Sequence, residues 1–182
     1  ETDRDGDITR AEMDATIGKG DFYLRFKPEA SGRRTFRMEA ADAGATLQAF
    51  RLYDDVRGGK LIVHGEPRGG NARGDLLGTA QITDFHVVNA PGLAQLMGAM
   101  SLNGMANLLE SEGVEFSRFE GEFEWRFQPG GGFVLIKDGR TSGSSLGLTF
   151  QGTFDHAKSY VDIEGTIIPL SGVNKFLGEI PL

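Results

Sequence analysis

The stretch Phe119-Glu-Gly-Glu-Phe-Glu-Trp-Arg-Phe127 constrains the fold of this chain more than any other. Phe119, Gly121, Phe123, Trp125 and Phe127 take the odd positions, while Glu120, Glu122, Glu124 and Arg126 take the even ones. Successive side chains of a strand point to opposite faces, so this stretch is a strand with one aromatic face and one charged face. At helical spacing the same residues would scatter around a cylinder.

The alternation recurs along the chain. Phe22, Leu24 and Phe26 alternate with polar residues, as do Phe36, Met38 and Ala40. Leu146, Leu148, Phe150 and Phe154 repeat it, as do Val161, Ile163 and Ile167. Leu61 and Val63 alternate less cleanly because Ile62 lies between them. Residues 5–17, 74–87 and 133–138 also read as strands. Turn punctuation falls at Gly18-Lys-Gly, Ala30-Ser-Gly, Gly58-Gly, Gly69-Gly-Asn, Pro129-Gly-Gly-Gly and Lys137-Asp-Gly. Strands at this spacing predict sequential antiparallel pairing rather than βαβ units. The expected fold is mainly β with short helices (α+β). It is a curved antiparallel meander of roughly 8–10 strands with an apolar concave face, in a single domain over residues 1–182.

Two places break the strand period. Residues 43–50 suit one or two helical turns. Over 91–110, Leu93, Leu96, Met97 and Met100 recur at i, i+3, i+4 and i+7, one helical face. Pro91 suits a first helical position, where its missing N–H costs nothing. Such a stripe packs against the sheet or, through its adaptable methionines, forms a soft surface for lipid tails.

Wet strand faces that are charged make the sheet one-sided. With so little helix to cover it, the apolar face closes into a barrel, packs in a sandwich or meets a ligand. Twenty-seven glycines and thirteen phenylalanines fit many short strands and tight turns.

Charge and chemistry exclude several classes. The net charge of −7 argues against nucleic acid and gives no overall attraction to anionic headgroups. The absence of cysteine excludes disulfides, thiolate nucleophiles and zinc ribbons. His64, His86 and His156 lie far apart, without partners at metal-ligand spacing. No Gly-x-Ser-x-Gly elbow and no phosphate loop is present. Asp3-Arg-Asp-Gly-Asp-Ile resembles the opening of a calcium loop. Ile8 stands where that loop requires glycine, and Asp14 where it requires glutamate. The reading is of no enzyme, no catalytic residue, no metal and no cofactor. No run of about 18 apolar residues occurs, so the sequence contains no spanning helix.

A family resemblance enters in the second half. Gly78-Thr-Ala-Gln-Ile-Thr-Asp-Phe-His-Val-Val-Asn-Ala-Pro-Gly-Leu-Ala-Gln-Leu-Met97 resembles a pattern of the AsmA-like C-terminal region. Ser101-Leu-Asn-Gly-Met-Ala-Asn-Leu-Leu, Gly113-Val-Glu-Phe-Ser-Arg-Phe and the closing Gly165-Thr-Ile-Ile-Pro-Leu-Ser-Gly-Val-Asn-Lys-Phe-Leu-Gly-Glu-Ile-Pro-Leu continue it. Ala41-Asp-Ala-Gly-Ala-Thr-Leu and Val56-Arg-Gly-Gly-Lys-Leu fit upstream segments, so the resemblance covers roughly residues 35–182. It points to the YhdP-type members of the AsmA/TamB superfamily of bridge-like lipid transfer proteins.

The resemblance implies a piece of a large Gram-negative cell-envelope protein, anchored in the inner membrane by an N-terminal helix that this sequence lacks. It implies a periplasmic location, a role in phospholipid transport and outer-membrane biogenesis, and an apolar β-groove along which acyl chains slide. Envelope proteins are possible partners, and the family has no catalytic residues to carry over. Candidate groove residues are Phe119, Phe123, Trp125, Phe127, Leu146, Leu148 and Phe150. The rival expectation is a closed β scaffold or docking domain without lipid conduction. Residues 170–182 are expected to pack loosely, as the start of a module whose remaining strands are missing.

Overall fold

The alternation resolves into a single sheet. The computed structural model describes residue 1 and residues 9–28, 33–70, 75–89, 113–128, 131–144, 146–155 and 160–169. Nine strands follow in chain order: β1 (Ala11–Ile17), β2 (Gly20–Pro28), β3 (Arg34–Ala40), β4 (Val56–Pro67), β5 (Leu76–Val87), β6 (Val114–Gln128), β7 (Gly131–Ser142), β8 (Leu146–Asp155) and β9 (Tyr160–Pro169). Each pairs antiparallel with the next, and the spatial order equals the chain order. This is the expected meander. Among the described residues β1 and β9 do not pair, so the sheet is open.

Register carries the apolar residues into continuous rows. One row runs Met13, Leu24, Met38, Val63, Ala80, Gly121, Gly139, Phe150, Gly165, one residue from each strand. The next runs Ala15, Phe22, Ala40, Leu61, Ile82, Phe119, Thr141, Leu148, Ile167. A slip of one residue would move every member of such a row to the other face, so the register is firmly specified. The opposite face is laced by ion pairs between residues two apart on one strand. Arg37 meets Glu39 at 2.5 Å, Arg140 meets Asp138 at 3.0 Å, and Arg118 meets Glu120.

The short helix expected near 43–50 is α1 (Ala43–Ala49). Asp42 caps it: the Ala45 N–H donates to Asp42 Oδ1 at 3.0 Å. The helix sits close to the sheet because Gly44 presents no side chain. A Cβ there would lie 2.5 Å from the Val56 carbonyl oxygen. The helical insertion expected over 91–110 lies outside the described residues, and so does the segment 170–182.

Two stretches expected to be turns lie inside strands. Gly58 and Gly59, with φ of 64° and 83°, belong to β4. A Cβ on Gly59 would stand 2.8 Å from that of Phe85, so glycine permits a close approach and an irregular step without reversing the chain. Lys137-Asp-Gly lies within β7. Glu122 opposes Asp138 but Phe123 opposes Ile136, which makes Lys137 the extra residue of a β-bulge. Pairing continues on both sides of it, so the local glycine signal produces a bulge where a turn was expected.

Candidate functional site

The apolar face is built from glycines and aromatic rings together. A Cβ on Gly121 would meet Phe119 Cζ at 2.8 Å, one on Gly139 would meet Phe150 Cζ at 2.9 Å, and one on Gly78 would meet Phe123 Cζ at 2.9 Å. Three rings therefore lie over three glycines, occupying space that side chains there would take. Phe119 and Phe150 stack on each other with centroids 5.9 Å apart and planes 18° apart. Such offset pairs add about 0.5–1.5 kcal/mol beyond the area they bury.

Six of the seven groove candidates lie on this face. Phe119, Phe123 and Trp125 come from β6, and Leu146, Leu148 and Phe150 from β8. The backbone of Phe127 is on β6 opposite Gly132, and its side chain is outside the described residues. Burial divides the others. Leu146 is fully buried and Phe123 nearly so, whereas Phe119, Trp125, Leu148 and Phe150 are part-buried. Leu93, Leu96, Met97 and Met100 lie outside the described residues. Thr141, in the row of Phe119 and Leu148, has a buried hydroxyl with no hydrogen-bond partner.

Sequence reasoning missed the segment that follows α1. The Phe50 ring lies 5.8 Å from that of Phe22 on β2. Phe50 and Leu52 also line a cavity of about 140 Å³ with Trp125, Val134 and Phe154, from β6, β7 and β8. Tyr53 meets Phe154 edge-on at 6.4 Å. Burial pushes the Tyr53 phenol up to about 12, and the nearby Asp55 charge adds to the effect. Part of the apolar face is thus covered by the chain itself. Toward the β9 edge it is not: Val161 and Ile163 are 55% and 49% exposed.

On the polar face Glu124 departs from the solvated reading given to the strand carboxylates. It is 1% exposed, although its neighbours Glu120 and Glu122 are open to solvent. Three cations surround it: Lys137 Nζ and Arg126 Nε, both at 2.8 Å, and Arg68 Nη2 at 3.0 Å. The β7 bulge supplies Lys137, and the short 3₁₀ turn η1 (Arg68–Gly70) supplies Arg68. The hydrogen bond from Lys137, followed by that from Arg126, holds the Glu124 carboxyl below the ordinary carboxylate range against the opposing effect of burial. A buried carboxylate shared by three cations from a turn, its own strand and the neighbouring strand is a cross-strand fastening.

Among the described residues no group of three or more His, Asp or Glu is placed to hold a metal ion. No family model matches the chain, and neither a curated protein nor a solved structure matches it.

Proposed function

We propose that the apolar face forms a trough that carries phospholipid acyl chains, as part of an AsmA-like envelope protein anchored in the inner membrane and working in the periplasm toward the outer membrane. The observation that carries this reading is the unbroken row of apolar and glycine positions across all nine strands of an open sheet. An open one-sided sheet needs something apolar against that face. Curvature is supported by Phe50, which touches β2 and shares a small cavity with β6, β7 and β8. Strands lie about 4.8 Å apart, so a flat sheet would hold β2 and β7 roughly 24 Å from each other, too far for one ring.

Acyl chains favour such a surface by about 0.8 kcal/mol per buried CH₂. Rings lying over glycines offer apolar contact with few polar anchors, which suits weak binding repeated along a path. The apolar face is accessible at Met13 on β1 and on the β8–β9 side, with Leu148, Phe150, Ile163 and Ile167, whereas Phe22 and Leu146 are sealed. A photocrosslinker at Phe150 or Ile163 should capture phospholipid in cells, while one at Gln151 or Glu164 on the polar face should not. Equal capture from both faces, or none from the apolar one, rejects the trough.

A second reading, a packed scaffold or docking domain, is favoured by the cover that Phe50 and Tyr53 already provide. Under that reading the purified protein carries no phospholipid detectable by mass spectrometry.

A further inference from the structure

The polar face gathers basic residues from neighbouring strands. Arg25 on β2 stands directly opposite Arg37 on β3, and Arg37 directly opposite His64 on β4. Arg25 and Arg37 are like charges in opposed strand positions, an arrangement that disfavours pairing unless each charge is compensated. The row lines an open recess of about 960 Å³ at the end of the sheet where β2 meets β3 and β4 leads to β5. Lys27, Arg33, Arg34 and Arg68 line it as well, so among the described residues six Lys and Arg side chains line the recess with two carboxylates, Glu66 and Glu122.

The cations differ in how they are held. Arg25 is tied to Asp14 at 2.5 Å, Arg37 to Glu39 at 2.5 Å, Arg68 to Glu124 at 3.0 Å, and Arg33 to Glu66. Lys27 and Arg34 pair with no carboxylate among the described residues. Lys27 and Arg34, set against Glu122, which likewise pairs with no charged group among the described residues, leave the described lining with a positive surplus, although the whole chain carries −7. Ordinary ligand pockets measure about 300–1,000 Å³, so the recess is large enough for several anionic groups at once.

We infer that this recess binds a compact polyanion bearing clustered phosphate groups, with Lys27 and Arg34 making the direct contacts and Arg25 and Arg37 supplying the surrounding field. Arginine and lysine both suit phosphate oxygens, arginine through its planar fork and lysine as a point charge. Arg25, Lys27, Arg37 and His64 stand on the face opposite the proposed acyl trough, whereas Arg34, in step with Phe36 and Met38, lines the recess at the start of β3 where the sheet ends. A phosphate cluster could belong to a soluble oligophosphate or to an anionic headgroup, and two probes separate these sources.

Calorimetry with inorganic tripolyphosphate tests the soluble source. Flotation with phosphatidylcholine vesicles, with and without phosphatidylglycerol, tests the headgroup. Binding to either probe that weakens as salt rises supports the site. Lys27→Glu/Arg34→Glu should then weaken it at least about tenfold, as expected for losing charge-assisted hydrogen bonds. The milder Lys27→Ala/Arg34→Ala should weaken it in the same direction. Lys19→Glu/Lys60→Glu, the same change of charge placed elsewhere, should leave binding intact. Circular dichroism melts confirm that each variant folds. No binding to either probe at low salt, or equal weakening by the control pair, overturns the proposal.

Discussion

Tyr53 measures how much of the apolar face the chain already covers. Its ring packs edge-on against Phe154, with planes 82° apart, and its phenol is pushed from 10.0 to about 12. Two units at 1.36 kcal/mol each correspond to about 3 kcal/mol of resistance to ionisation in the folded state. The folded value lies above the unfolded one. This contribution is therefore complete below pH 10.0 and drains away as pH rises through about 12. Chemical denaturation at increasing pH should show stability falling across that window by about 3 kcal/mol, and Tyr53→Phe should flatten the fall. A tyrosinate absorbance titration, taken as wild type minus Tyr53→Phe, isolates this phenol from Tyr23 and Tyr160. A midpoint near 12 is expected. A midpoint near 10 would mean that the ring sits in water, and the argument that residues 50–53 cross the sheet would fail with it.

Two further predictions address the sheet itself. Glu124→Gln should lower the denaturation midpoint at neutral pH, because three cations lose their common carboxylate. The wild-type group titrates below its ordinary value of 4.5, so its advantage is full above that pH and should close as pH falls through the lower folded value. A difference unchanged in acid would show that the fastening is not electrostatic. Gly78→Ala should cost roughly 3 kcal/mol, because its Cβ would collide with the His64 carbonyl oxygen and crowd the Phe123 ring. Gly147→Ala, whose nearest neighbour is 3.6 Å away, should be close to neutral, and equal melting temperatures for the two variants would contradict the close approach of β4 and Phe123 to Gly78.

All nine strands fall in stretches that the sequence marks as strands, because most of them alternate apolar and polar residues, β4 less cleanly than the rest. Phe22 to Phe26 and Phe119 to Trp125 alternate without a break, and each is a strand. Bulges are not legible in the same way. Gly58-Gly and Asp138-Gly carry the local signal of a turn, and only the continued pairing of their neighbours decides that the strand goes on. Glu124 shares its period, charge and strand with Glu120 and Glu122. What buries it is Arg68 from a turn and Lys137 from a bulge, and neither is marked in its own segment. The contacts of Phe50 and Tyr53 join residues more than twenty positions apart through side-chain packing, for which no local pattern exists. The glycine and phenylalanine positions of β6 are visible in the sequence, yet that rings lie over glycines becomes evident only once the strands are in register.

The strictly sequential strand order has a consequence for how the molecule comes apart. Each strand contacts mainly its neighbours in chain order, so the fold behaves as a line of units rather than as one indivisible block. Hairpins can form and add one after another, without long loops to close first. Among the described strands, opening should likewise start at the ends of the row, β1 and β9, and move inward. The exception is residues 50–53, which tie β2 to β6, β7 and β8 across the interior of the line. That segment should couple the opening of β2 to that of β6, β7 and β8, which amide exchange would read as a shared opening free energy for those strands. Amide exchange should find β9 opening far more readily than β4, β5 and β6.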